Sequence, residues 1–235
     1  MTAPLLVSDL GRRDYASVLE MQRSLCRMRM AGEISDDILL LVEHDPVVTL
    51  GRGTKPDSLP LAPEELAGQG VTVADVERGG DVTYHGPGQL VGYPILDLRT
   101  HREDLHWYLR QLEAALIDAL GKLGVPAERN PGLTGVWTHG RKIASIGIHV
   151  KQWVTFHGFA LNVTNDLAGF GLIVPCGIHG VVMTSVAAER ARQSGTAPPD
   201  DRALWDATRE SVIGAVGRAF DRTPVFGALD PALTS

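Results

Sequence analysis

Residues 142–150 and 153–161 each carry the period-two alternation of a β-strand, and only residues 151 and 152 separate them. A connection this short returns the chain antiparallel to itself, because parallel pairing needs a crossover of a dozen or more residues. The pair therefore predicts a hairpin, and with it a sheet that is antiparallel over part of its width. A purely alternating βαβ chain is excluded.

The remaining elements follow from pattern and punctuation. Tyr15, Val18, Leu19, Leu25 and Cys26 fall at helical spacing behind Asp14, an N-cap type, and predict an amphipathic helix over 14–31. The apolar run 38–42 predicts a buried strand, and further strands are expected over 47–50, 71–77, 82–84 and 90–98. Leu105, Tyr108, Leu109, Leu112, Leu116, Leu120 and Leu123 define a second helix, with Gly124 as its C′ residue. A short helix is expected near Ser185. After a Ser/Gly/Pro-rich loop at 194–199, Leu204, Val212, Val216 and Phe220 stripe a last helix. Residues 55–69 read as surface. No repeat or linker divides the chain, so a single α+β domain over 1–226 is expected, with a mixed, mainly antiparallel sheet flanked by helices and a flexible tail at 227–235.

Composition narrows the function classes. The chain is 44% hydrophobic and 21% charged, ordinary for a globular protein. A formal net charge of -6 without a Lys/Arg-rich tract argues against nucleic acid or an anionic membrane as partner, since both require a basic footprint. Two cysteines do not make a secreted disulfide framework. No signal-peptide pattern is readable at the N-terminus, and the apolar runs fall far short of a membrane span. A reducing cytoplasm is the expected compartment.

Two stretches carry chemistry. Arg78-Gly79-Gly80-Asp81-Val82-Thr83-Tyr84-His85-Gly86-Pro87-Gly88-Gln89 places paired glycines between two strands, where backbone can approach a ligand closely; a plain Gly-rich turn would use the same residues. Val174-Pro175-Cys176-Gly177-Ile178 sets a cysteine between Pro and Gly in a loop, as a nucleophile requires, although a lone cysteine is more often buried and inert. Cys26, on the apolar face of its helix, is expected to be such a core thiol. A nucleophilic Cys176 needs a positive neighbour or a base, and Lys142 or a histidine can supply it. No nucleophile elbow, Walker loop or zincin pattern appears, and the eight histidines lack metal-ligand spacing. No metal and no cofactor are expected.

Taken together, these stretches resemble the octanoyl-(acyl carrier protein):protein N-octanoyltransferases, also called lipoyl(octanoyl) transferases or the lipoate biosynthesis protein B family. The resemblance rests on Glu43-His44-Asp45-Pro46 with Thr49 and Gly51-Arg52, the 78–89 motif, Leu90-Val91-Gly92-Tyr93-Pro94 and Gly135-Val136-Trp137. It continues through Arg141-Lys142-Ile143-Ala144-Ser145-Ile146-Gly147, His157-Gly158-Phe159-Ala160-Leu161-Asn162, Ile173-Val174-Pro175-Cys176-Gly177-Ile178 and Thr184-Ser185. These motifs stand in the family's order within a match over about 15–220, which makes the resemblance specific.

The resemblance implies the biotin/lipoate protein ligase catalytic fold. It implies that Cys176 carries the acyl group as a thioester and that Lys142 lowers the thiol's pKa and shuttles protons. Substrate-binding positions carry over to Arg78, Gly79, Gly80, Asp81, Val82, Thr83, Tyr84 and His85, to Ser145, Ile146 and Gly147, and to Gly158, Phe159 and Ala160. The implied donor is octanoyl-acyl carrier protein. The implied acceptors are lipoyl domains of 2-oxoacid dehydrogenase acyltransferase subunits and the glycine-cleavage carrier protein. The neighbouring reading is an ATP-dependent lipoate or biotin protein ligase, which activates its acid as an adenylate and needs no catalytic cysteine. The Gly-Pro-Gly-Gln continuation after His85 and the Pro-Cys-Gly-Ile loop favour the transferase.

Overall fold

A computed structural model describes residues 2–174, 180–196 and 200–227 of the chain. Cys176 and most of the expected tail lie outside the described residues. The helices are α1 (Tyr15–Ala31), α2 (Pro63–Gly68), α3 (Leu105–Lys122), α4 (Val186–Ser194) and α5 (Asp201–Ala219). The strands are β1 (Ala3–Arg13), β2 (Asp37–His44), β3 (Val47–Leu50), β4 (Thr72–Asp75), β5 (Thr83–His85), β6 (Gln89–Ile95), β7 (Glu128–Asn130), β8 (Leu133–Thr138), β9 (Arg141–Lys151), β10 (Val154–Asn162) and β11 (Arg222–Phe226).

An eight-stranded sheet runs in the order β11-β1-β2-β6-β10-β9-β8-β7. Its β11-β1 and β1-β2 pairs are parallel and the others antiparallel. The expected mixed, mainly antiparallel sheet is borne out. Helix α1 crosses between the parallel strands β1 and β2, which is how a helix of that length comes to separate two neighbours. Both faces of the sheet are covered, and β2 records this residue by residue. Leu39 and Leu41 pack with Tyr108, Leu112 and Val212 of α3 and α5, whereas Ile38, Leu40 and Val42 pack with Val18, Leu25 and Cys26 of α1. A strand buried on both sides has no polar face, so its sequence is a continuous apolar run.

Local chemistry fixes the element ends. The Asp14 carboxylate accepts from the Ser17 N–H, and Gly32 ends α1 at φ 78°. Asp104 caps α3 through the Trp107 N–H. The β9–β10 hairpin turns through Gln152 and Trp153, both at positive φ (48° and 65°), the mirror-image turn geometry that two-residue hairpins demand. Buried Asp37 accepts from Arg29 on α1, Arg222 on β11 and His101, and so ties three elements to the start of β2.

A second, three-stranded sheet, β4-β3-β5, stands beside the first. Val48, Val82 and Tyr84 of this layer pack with Leu66 of α2 and with Phe170 and Ile173. The stretch 55–69, read from sequence as surface, is corrected in part: Ser58 and Leu66 are buried there, because α2 closes the open face of this small sheet. Among the described residues no helix is long and apolar enough to cross a membrane.

Candidate active site

A cavity of about 220 Å³ opens between the α1-facing side of β6, β10 and β9 and the loop that leads into β5. Four predicted groups of residues meet there. Arg78 to Thr83 and His85 form one wall, Ser145 to Gly147 and Gly158 to Ala160 the sheet wall, and Lys142 lies at one end. Tyr84 does not line the cavity. Alternation along β5 turns its ring the other way, into the cluster beneath the small sheet and against Phe170.

The glycine-bearing loop is held by Arg78, which is 6% exposed. Its Nη2 donates to the Thr49 carbonyl (2.7 Å) and hydroxyl (2.8 Å), and its Nη1 to the carbonyl of Asp81 (2.6 Å). The Gly79 N–H donates to Ile148 O, which draws the loop against β9. A Cβ on Gly147 would sit 2.9 Å from Arg78 Cδ and 3.0 Å from Gly79 O, so a residue with a side chain would push the loop off the strand. Asp81 accepts from Val82 N and from the Ser58 hydroxyl.

Lys142 is 3% exposed, with Nζ 5.6 Å from the centre of the Trp137 ring. Its N–H donates to Val182 O (2.8 Å), and its carbonyl accepts from Thr184 N (2.9 Å). Val174 N donates to Ser58 O. The described residues on both sides of 175–179 are therefore anchored, one at the Ser58–Asp81 contact and the other on the backbone of Lys142. Buried Glu189 strengthens the second anchor: its carboxylate accepts from the Thr184 hydroxyl and from Arg141, the residue before Lys142. Room for the lysine comes from Gly135 at φ 123°, where a Cβ would lie 2.9 Å from Lys142 Cε and 2.6 Å from Ala144 O. Gly135→Ala is expected to cost about 1–3 kcal/mol of stability, to be measured by urea unfolding. An unchanged unfolding midpoint would mean that β8 moves away freely.

At the far end the cavity is walled by His85, His157, Tyr15 and Tyr93. His85 Nδ1 contacts Gln89 Oε1 at 2.7 Å, and Gln89 Nε2 donates to Tyr84 O and Asn162 Oδ1. Because the Gln89 amide nitrogen is committed to donation, its oxygen faces the histidine, and His85 carries its proton on Nδ1. Burial drives His85 and His157 down to about 3 and His44 to about 4, so all three are neutral at neutral pH. Burial pushes Tyr15 up to about 12 and also raises Tyr93 well above the usual phenol range. Tyr15, Val91, Tyr93, Leu133, Trp137 and His157 were not among the predicted site residues. Period two along β6 could have found Val91 and Tyr93 together. Tyr15 reads from sequence only as part of a helix stripe.

The sheet order, the helices on both faces and the walled cavity define a catalytic domain of the biotin/lipoate protein ligase fold. A crystal structure of a lipoate-protein ligase A bound with ATP superposes with a TM-score of 0.73 at 14% identity, covering 100% of this chain and 93% of that one. That likeness is one of fold. The profile of the family "Lipoyl protein ligase A/B catalytic domain" matches residues 14–198. An octanoyltransferase of Solibacter usitatus is 54% identical over 79% of this chain and 84% of its own length. One of Geobacter metallireducens is 45% identical over 97% of this chain and 100% of its own. The chain belongs to the lipoyl protein ligase A/B catalytic-domain family, among its octanoyltransferases.

Proposed function

We propose that this enzyme transfers an octanoyl group from octanoyl-acyl carrier protein, through a thioester on Cys176, to the ε-amino group of a lysine on a lipoyl domain. The observation that carries the reading is the joining of three things at Lys142. A largely apolar cavity ends there, its amine is buried there, and its backbone is clamped to residues that follow the Cys176 segment.

In the first half-reaction the Cys176 thiolate attacks the donor thioester carbonyl, the new C–S bond forms, and the carrier's pantetheine thiolate leaves with a proton supplied from Lys142. In the second, the acceptor lysine attacks the acyl-enzyme, Lys142 takes the amine's proton, and Cys176 departs as thiolate. Thioester and amide exchange without ATP, because the bond broken is the more reactive of the two. Val91, Ala160 and Leu133 offer the chain apolar walls, the Phe159 and Ile146 side chains being packed into the core on the other face of the sheet, while Arg78 and the loop it pins set the cavity's width. The acceptors are the lipoyl domains of 2-oxoacid dehydrogenase acyltransferase subunits and the glycine-cleavage carrier protein. No metal or cofactor takes part, and a free nucleophilic thiol suits the reducing cytoplasm.

Intact-mass spectrometry tests this directly. Mixed with octanoyl-acyl carrier protein, the protein is expected to gain one octanoyl mass, and the Cys176→Ser variant none. Adding an apo lipoyl domain should discharge the adduct and octanoylate that domain. Transfer that instead requires free octanoate with ATP would replace this reading by the ligase.

A further inference from the structure

The chain that follows residues 175–179 returns to the strand carrying Lys142. The Lys142 N–H donates to Val182 O, its carbonyl accepts from Thr184 N, and Met183 bridges it in parallel register. Thr184 is fully buried, and each of its polar groups is committed. Its N–H goes to Lys142, its carbonyl accepts from Asn162 Nδ2 (3.0 Å), and its hydroxyl donates to Glu189 Oε1 (2.5 Å). Asn162 Oδ1 in turn accepts from Gln89 Nε2, whose own oxygen meets His85 on the cavity wall.

Glu189, on α4, closes this junction. Its side chain is 2% exposed, and its carboxylate gathers donors from three residues. Besides the Thr184 hydroxyl these are Arg192 Nη1 (2.7 Å) and the fork of Arg141, with Nε on Oε1 and Nη2 on Oε2, each at 2.8 Å. Arg141 immediately precedes Lys142. One carboxylate therefore grips both the residue before the lysine and the residue that bonds the lysine's carbonyl. Ser185 caps α4 by accepting from Ala188 N, so the helix that carries Glu189 starts at the junction it holds. Stability alone does not account for this arrangement. Taking a carboxylate out of water is costly, and apolar residues of similar volume commonly stabilise a core as well as a buried ion pair does. What a bidentate Arg–carboxylate fork adds is a fixed orientation. Glu189 is not among the residues that line the cavity, so the acyl chain does not call for it either.

We propose that Glu189 is a positioning residue of the transfer reaction. It sets the spacing between Lys142 and the chain that returns from Cys176, so that amine and thiol meet at one distance in both half-reactions. Proton transfer needs hydrogen-bond reach, and a displacement of about 1 Å can cost about 10²-fold in rate. The inference deepens the Cys176/Lys142 reading and rests on it.

Quench-flow intact-mass spectrometry of the full chain with octanoyl-acyl carrier protein tests it. Glu189→Ala is expected to slow adduct formation at saturating donor about tenfold or more, with the half-saturating donor concentration within about twofold of the unaltered chain. Thr184→Val, which deletes the hydroxyl alone, should show a smaller loss. Glu189→Gln, whose amide oxygen still accepts, should recover part of the rate. A merely structural contact would cost the same in any background, whereas a positioning residue acts through its target. Glu189→Ala should therefore slow the residual reaction of a Lys142→Ala chain less than about twofold. An unaltered rate in Glu189→Ala and Thr184→Val, or an equal fold-loss with and without Lys142, would overturn the positioning role. Should Glu189→Ala fail to fold, Thr184→Val is judged alone by the same criteria. Failure of the underlying reading looks different: the unaltered chain forms no adduct, or Lys142→Ala forms it at the full rate, and the positioning role falls with it.

Discussion

Alanine at Lys142 is expected to lower octanoyl transfer by about 10²–10⁴-fold or more, the span that positioned proton transfer contributes. The effect should exceed any loss of stability, because the side chain lines a cavity rather than filling the core. Arginine at the same position separates the two duties of the lysine. A guanidinium keeps positive charge beside the thiolate but does not give up its proton at neutral pH. Lys142→Arg should therefore still acquire an octanoyl adduct, at reduced rate, and then fail to discharge it to a lipoyl domain. Single-turnover mass spectrometry with quenched time points reads both steps. The control is Cys26→Ser. Cys26 is 2% exposed within the α1 cluster, and burial pushes its thiol up to about 11, so it is neither accessible nor ionised. That variant should turn over almost normally. Normal turnover by Lys142→Ala would remove the Cys/Lys dyad from the mechanism.

The parts of this fold that were legible in the sequence are those whose neighbours are local. Helices α1 and α3 announced themselves by apolar spacing and by caps that close within a few residues, and the β9–β10 hairpin by a connection too short to do anything else. Strands β1, β7, β8 and β11 were not predicted as strands, and for β1 and β11 the reason is physical. β1 is paired parallel on both sides with distant segments, and its C-terminal half is largely exposed, so neither a turn nor a clean alternation marks it. β11 is a short edge strand whose Pro224 gives a contrary signal. At the site, the glycine loop and the sheet wall were named in advance, because close backbone approach restricts which residues can stand there. Tyr84 was carried over with its motif, yet period two puts it on the opposite face from Thr83 and His85. His157 escaped because its orientation depends on one backbone angle, and Tyr15 because nothing in a helix stripe says which member meets a cavity.

Stability should fall steeply as pH drops from 6.5 toward 5, before most carboxylates begin to titrate. In the unfolded chain His44, His85 and His157 take up protons near pH 6.5. In the folded protein burial holds them neutral down to about 4, 3 and 3. Between those limits the unfolded state binds more protons than the folded one, so each histidine's contribution is fully present above about pH 6.5 and is lost progressively below it. By pH 5 the loss is about 2 kcal/mol per histidine, about 6 kcal/mol for the three, comparable with the whole stability of an ordinary domain. Carboxylates held low act in the other part of the scale: Glu77, bonded to Arg23 and brought down to about 2, keeps its contribution until the pH falls below its ordinary range near 4.5. The window from 6.5 to 5 thus isolates the histidines. Urea unfolding at pH 7.5, 6.5, 5.5 and 5.0 measures the slope, and His85→Gln should flatten it by up to about 1.4 kcal/mol per pH unit. The aromatic packing around two of them explains why neutrality is enforced: Tyr15 stacks on His85 at 5.8 Å and 14°, and His44 meets the Tyr93 hydroxyl at 2.8 Å, so a charge on either ring would be set among aromatic groups. A flat stability profile from pH 7.5 to 5 would mean that the folded protein accommodates the protons, and the neutral wall around the acyl cavity would have to be abandoned.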